Sequence, residues 1–201
     1  MYVQVIEGRV GSEQALRAAM DAWREELAPG ADGWLGATYG ITDDGLFVGV
    51  VRFESEEAAR HNSQRPEQDA WWREAARSFD SEVTFRDCTD VATLLEGGSD
   101  QAGFVQVLQG RVRDRDRLFA LTEESASVLA RERPEIIGAT VAIDDEGIVT
   151  ETVAFTSEAE AREGERKELG EEARRLLDEE TALIEDIRYL DLREPWFASR
   201  S

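Results

Sequence analysis

The sequence is short of cysteine, histidine, lysine and long apolar runs, and each shortage excludes something. A single cysteine, Cys88, leaves no intramolecular disulfide and no cysteine cluster for zinc. A single histidine, His61, removes the usual metal-ligand sets, and the carboxylates are scattered, so no metal is expected. No run of about 18 apolar residues occurs, which excludes a transmembrane helix. The opening "MYVQVIEGRV" lacks a basic region followed by an apolar one, so no signal peptide is read there and a cytoplasmic protein is expected. Positive charge is scarce as well. The chain has 44 acidic against 23 basic residues, a formal charge of −21, and Lys167 is the only lysine. Nucleic acid and anionic membrane surfaces both demand a basic face and are excluded as partners. The surplus of acid serves solubility.

What the chain does have is a copy of itself. "MYVQVIEGRV" at the start returns as "GFVQVLQGRV" at Gly103 to Val112. Val3, Gln4 and Val5 fall on Val105, Gln106 and Val107, and Gly36, Ala37 and Thr38 on Gly138, Ala139 and Thr140. Phe53, Ser55, Glu56, Ala59 and Arg60 fall on Phe155, Ser157, Glu158, Ala161 and Arg162 without a gap. The repeat has the size of a small domain rather than of a solenoid unit. The implied organisation is a first repeat over 1–95, a Gly-rich polar linker over 96–102, a second repeat over 103–192 and a tail over 193–201.

Each copy spells the same elements. In the first, a strand over Tyr2 to Arg9 is followed by Ser12, an N-cap, and by Leu16, Met20, Trp23 and Leu27 at helical spacing, with Pro29 and Gly30 as the stop. Trp34 to Ile41 and Leu46 to Glu54 read as a hairpin around "TDDG". Ser55 caps a second helix, broken and restarted at Pro66, and a last strand covers Glu82 to Asp90. The second copy places strands near Phe104 to Val112, Glu135 to Ile143, Gly147 to Thr156 and Leu183 to Leu192, with helices near Asp116 to Arg133 and Ser157 to Thr181.

Both halves therefore read β-α-β-β-α-β, an α+β ferredoxin-like order. Val3, Val5, Leu35, Ala37, Val48 and Val50 lie on one strand parity, and Ile6, Trp34, Phe47, Val51 and Phe53 on the other. Two helices cover one face only, and a sheet apolar on both faces needs a second cover. The second copy is expected to supply it, sheet against sheet.

This order, with "FESEEAAR" entering the second helix and "RPEQDAWW" after it, resembles the antibiotic biosynthesis monooxygenase superfamily. The resemblance covers about residues 1–192. It implies an intramolecular version of the dimeric α/β barrel, either as a monomer with an internal pseudo-dimer or as a homodimer of such chains. It further implies a cofactor-independent monooxygenase acting on a small hydrophobic, polyketide-like aromatic; the alternative is a barrel that binds a small ligand or serves structure without catalysis. The haem-degrading branch fits poorly, since its Asn, Trp and His places fall near Gln4, Asn62 and Trp72.

Candidate site residues follow from the asymmetry between the halves. Trp23, Trp34, Tyr39, Trp71 and Trp72 become Ser125, Ile136, Val141, Ala173 and Arg174 in the second copy, so a pocket is expected in the first half. Trp34, Tyr39, Trp71 and Trp72 are its candidate walls, and of the adjacent Trp71 and Trp72 one is expected to leave the core. His61 and Asn62, just before the break at Pro66, and Arg52, at the end of a strand, are the candidate proton acceptor and anion holders. Gln4, repeated as Gln106, is expected to point inward beside Thr38, in a hydrogen-bond network or against a ligand.

Overall fold

A computed structural model describes residues 1–95 and 97–199. The chain forms two compact units, Met1–Thr89 with Trp196–Ser201, and Asp90–Pro195. Among the described residues no helix is long and apolar enough to cross a membrane.

The first unit follows the expected order. It contains β1 (Tyr2–Arg9), α1 (Glu13–Ala22), β2 (Trp34–Ile41), β3 (Leu46–Phe53), α2 (Glu56–Ser63), α3 (Pro66–Ala75) and β4 (Thr84–Leu94). The Ser12 and Ser55 hydroxyls accept from the amides of Ala15 and Ala58, satisfying donors that the first helical turns leave free. Pro66 opens α3, where its missing N–H costs nothing. The last strand runs on to Leu94, so the boundary between the units falls inside β4 rather than in the Gly-rich segment that follows it.

The sheet order is β4-β1-β3-β2, and a further strand, β9 (Trp196–Ser199), lies outside β2. The segment read as a tail is thus part of the first unit. β9 pairs antiparallel with β2, from Gly36 opposite Ser199 to Tyr39 opposite Trp196. It satisfies backbone groups that an edge strand would otherwise leave open.

The second unit repeats the scheme with β5 (Phe104–Val112), α4 (Arg115–Glu132), β6 (Ile136–Asp144), β7 (Ile148–Phe155), α5 (Glu158–Arg166), α6 (Glu171–Leu183) and β8 (Ile184–Leu192), in the order β8-β5-β7-β6. The single long helix expected over Ser157 to Thr181 is two helices. Gly170 precedes α6, and its N–H donates to Glu132 Oε2 at 2.8 Å. No proline marks this break, since Glu168 stands where the first copy has Pro66, and that hid it.

Both strand parities are buried, with one adjustment. In each unit the register shifts by a bulge, between Trp34 and Gly36 and between Ile136 and Gly138. The extra residue moves Ala37 opposite Val51, onto the face of Trp34 and Phe53, and leaves Leu35 exposed. Gly138 has a clear reason to be glycine, because a Cβ there would lie 1.6 Å from the Gly97 carbonyl oxygen. The helix-side face of the first sheet carries Tyr2, Ile6, Trp34, Phe47 and Phe53, packed with Leu16, Met20 and Trp23 of the first long helical segment. The other face carries Val3, Val5, Val48 and Val50, all buried.

Candidate functional site

The residues singled out from sequence occupy the first unit, where the aromatic ones pack against one another. Trp34 meets the Trp23 ring edge-on with centroids 5.0 Å apart, and Trp23 lies 6.3 Å from Trp71. Trp71 donates its indole N–H to the Ala19 carbonyl at 2.8 Å. Trp72 sits 5.8 Å from Trp71 and edge-on to Phe85 at 5.0 Å. Neither of the adjacent tryptophans leaves the core. Both are half-buried against the same apolar cluster, straddling its seam, because an indole is long enough to lean back from a helix flank. Tyr39 stacks on Phe47 at 5.9 Å; burial pushes its phenol well above the ordinary tyrosine range, against a weaker opposing pull from Arg52.

The polar candidates do not converge. His61 is exposed on α2, while its neighbour Asn62 is buried. The Asn62 Oδ1 accepts from Arg65 at 2.9 Å, and Arg65 also donates to the Leu27 carbonyl at 3.1 Å, tying the restarted helix to the end of the first one. Arg52 stands opposite Val3 and Gly36, on the sheet face away from the helices, and donates to Thr38 Oγ1 at 3.1 Å. Gln4 faces the helix side. It does not share a face with Thr38, because Gln4 pairs with Val51 and Thr38 with Val50. Its Nε2 donates to Asp87 Oδ1 on β4 at 2.9 Å. Gln106 does the same to Asp191 Oδ1, also at 2.9 Å, so the repeated glutamine makes the same cross-strand bond in both units.

The open space is in the second unit. A cavity of about 500 Å³ lies between its sheet and its helices. Gln106 and Leu108 on β5, Glu151 and Val153 on β7 and Tyr189 and Asp191 on β8 form the floor, and Leu129 of α4, Arg162 of α5 and Leu177 and Glu180 of α6 stand over it. The contrast between the copies explains the vacancy. Trp23 and Trp34 are buried in the first unit, whereas Ser125 and the smaller Ile136, which lines the cavity, stand at those places in the second.

Glu151 is the outstanding residue of this floor. It lies between Leu108 on β5 and Val141 on β6, on the parity shared by Val149, Val153 and Phe155, where the first copy has Gly49. Burial raises its carboxyl well above the usual range, and the charge of Glu180 raises it further. Burial likewise raises Glu180. The Tyr189 phenol is raised by burial and then by the charges of Glu151, Glu180 and Glu165. Among the described residues no side chain donates a hydrogen bond to Glu151 or Glu180 and none pairs with either.

The arginines of the cavity wall are committed elsewhere. Arg162 pairs with Asp191 and, at 2.8 Å, with Glu165, and lies over the Phe104 ring at 5.2 Å. Arg133 pairs with Glu135 in a buried contact. Among the described residues no group of three or more His, Cys, Asp or Glu is placed to hold a metal ion. The arrangement offers an apolar chamber with two unsatisfied carboxylates facing into it. In such a place a carboxylate is a stronger base than in water, and a carboxylic acid a better hydrogen-bond donor.

One signal in the sequence points here. Along "IVTETVAF" a glutamate occupies an apolar parity in the middle of a strand, and a charge in that register must either find a partner or face a cavity.

No family model and no curated protein matches the chain in sequence. Its structure is similar to solved ones. A candidate monooxygenase from Lactobacillus acidophilus NCFM superposes with a TM-score of 0.75 at 11% identity, over 98% of this chain and 95% of that one. A candidate monooxygenase from Fusobacterium nucleatum gives a TM-score of 0.76 at 9% identity, over 100% and 94%. An anthrone oxidase-like protein gives 0.68 at 11% identity, over 99% and 94%. The chain has the ferredoxin-like fold of antibiotic biosynthesis monooxygenases, in tandem form.

Proposed function

We propose that the chain is a cofactor-independent oxygenase whose substrate is a small hydrophobic aromatic molecule held in the cavity of the second unit. The observation that carries this reading is the apolar chamber with Glu151 and Glu180 facing into it without partners. The likeness to structures described as monooxygenases and as anthrone oxidase-like supports the reaction class.

The chemistry asks for three things, and the chamber offers each. Leu108, Val153 and Leu177 exclude water around a ring system. A carboxylate of the pair takes a proton from the activated CH₂ of an anthrone-type phenol, and its raised basicity suits that transfer near neutral pH. The resulting carbanion adds molecular oxygen and forms a carbon–oxygen bond. The peroxide so produced takes up the proton that the carboxyl holds. Loss of water then cleaves the O–O bond and leaves a carbonyl, so one oxygen atom enters the product and the other leaves in water. A carboxyl that is protonated at that moment can hold the developing oxyanion, as a donor fixed in place before the reaction.

The test is oxygen consumption by the purified protein with anthrone and related phenols. Uptake above the uncatalysed rate is expected, with stoichiometric quinone. Replacing Glu151 and Glu180 together by Gln is expected to lower the rate by about 10²–10⁴-fold, the usual contribution of a positioned acid or base. Binding of the phenol without uptake would make the chain a ligand-binding protein instead. Uptake that survived the double substitution would move the site elsewhere.

A further inference from the structure

The cavity is unbalanced in charge, and its own protein supplies no remedy. Every basic group on its wall already has an acidic partner: Arg162 has Glu165 and Asp191, and Arg133 has Glu135. The acidic groups Glu165 and Asp191 are neutralised by the same contacts. Glu151 on the sheet and Glu180 on the helix above it remain, with Tyr189 as the nearby titratable group on β8. A chamber lined by Leu108, Val153 and Leu177 is a costly place for two unpaired carboxylates. Its empty state relieves that cost by keeping a proton. A bound cation relieves it better, since it brings an opposite charge where water is scarce.

We infer that the natural ligand of this cavity carries a protonated amine beside its aromatic body, and that Glu151 and Glu180 are the groups that select for it. The inference rests on the cavity being the substrate site and names the substrate class more narrowly. One carboxylate holds the ammonium group and is ionised by it, and the other remains to accept the substrate proton. That division explains why the chamber has two such groups when proton abstraction alone needs one. It also fixes the pH dependence. Amine affinity rises with pH as the pair gives up its proton, with Arg162, Glu165, Asp191, Arg133 and Tyr189 as the charged and titratable surroundings, and falls again where the amine itself becomes neutral.

The experiment is calorimetric titration of the intact chain with 2-naphthylmethylamine and with 2-naphthylmethanol, which share a ring system and differ in charge. At pH 8 the amine is expected to bind at least about tenfold more tightly than the alcohol, a difference of about 1.4 kcal/mol. The preference should vanish in E151Q/E180Q, whose side chains keep the same shape, while alcohol binding persists as proof that the chamber is intact. Equal affinity for the two compounds, a preference that survives the double substitution, or binding of neither compound would overturn the inference. The readout needs no turnover. Amine selectivity without oxygen uptake by any phenol would sink the oxygenase reading alone, and uptake without amine selectivity would sink this one alone.

Discussion

Glu151→Gln raises the melting temperature near pH 8 by several degrees and changes it little near pH 4. The sign follows from proton linkage. Burial and the charge of Glu180 raise the Glu151 carboxyl in the folded chain, whereas the unfolded chain has the ordinary value of about 4.3. Between those two values the native state binds more protons than the unfolded one, so stability falls as pH rises through that window. The contribution is fully present below the unfolded value and is lost once the folded carboxyl ionises. Glutamine keeps the shape and removes the titration, so wild type and variant converge in acid and separate above it. Relieving the desolvation of this half-buried, unpaired carboxylate is worth about 1–3 kcal/mol. At roughly 2–4 °C per kcal/mol for a chain of this size, the shift is easily read by calorimetry. Glu180→Gln should act in the same direction and also lower the Glu151 carboxyl, since it removes the neighbouring charge. A variant less stable than wild type at pH 8 would mean that Glu151 has a partner and that the chamber is not short of positive charge.

Arg133→Ala has the opposite effect. Arg133 and Glu135 have side-chain exposures of only 9% and 4%, and α5 approaches them at Gly164, where a Cβ would lie 1.8 Å from Glu135 Oε1. Burial pushes the Glu135 carboxyl up, but the Arg133 guanidinium, a backbone N–H and the charge of Lys167 outweigh it, and the group ends below the usual range. Truncating the arginine leaves a buried carboxylate with only Lys167, at 3.7 Å, as its counter-charge. Breaking a buried pair costs about 3–5 kcal/mol, and the remaining lysine places this case near 3. The melting temperature should fall by roughly 6–12 °C at neutral pH. The loss should shrink in acid, because the depressed Glu135 carboxyl gives its stability above the unfolded value and surrenders it as pH falls through the folded one. The paired change Arg133→Met with Glu135→Leu should recover most of the loss, since it removes both charges together. If the single and double changes destabilise equally, packing rather than charge holds this corner.

The fold was largely legible because its signals are periodic and occur twice. The Val-Gln-Val strand, the Ser caps and the Pro66 restart each act over a few residues, and local rules suffice to place them. The break before Glu171 and the pairing of Trp196–Ser199 with β2 were hidden for a different reason. The first carries no proline, Glu168 standing where the first copy has Pro66, and the second depends on which edge strand lacks a neighbour, which only the assembled sheet determines. The cavity proposed as the site lies outside the aromatic residues that the sequence singled out. Trp23, Trp34, Trp71 and Trp72 can line a chamber or fill it, and sequence does not distinguish the two. The bulge after Trp34 moves Ala37 to the other face, which strict alternation along the strand does not reveal. Glu151 was in plain view on an apolar parity. Its meaning depends on what stands above it, and the helix that carries Leu177 and Glu180 supplies that.

On the function proposed, small aromatic molecules are expected to enter the second unit and not the tryptophan-rich first. All five tryptophans belong to the first unit, so one spectrum separates the alternatives. Two-dimensional NMR of the chain titrated with 2-naphthol would follow the indole N–H signals and the methyl signals of Leu108, Val153 and Leu177 together. The account predicts saturable shifts at those three methyl-bearing residues, with the indole signals unmoved. Shifts at Trp23, Trp34 and Trp71, with the methyl signals unchanged, would contradict it.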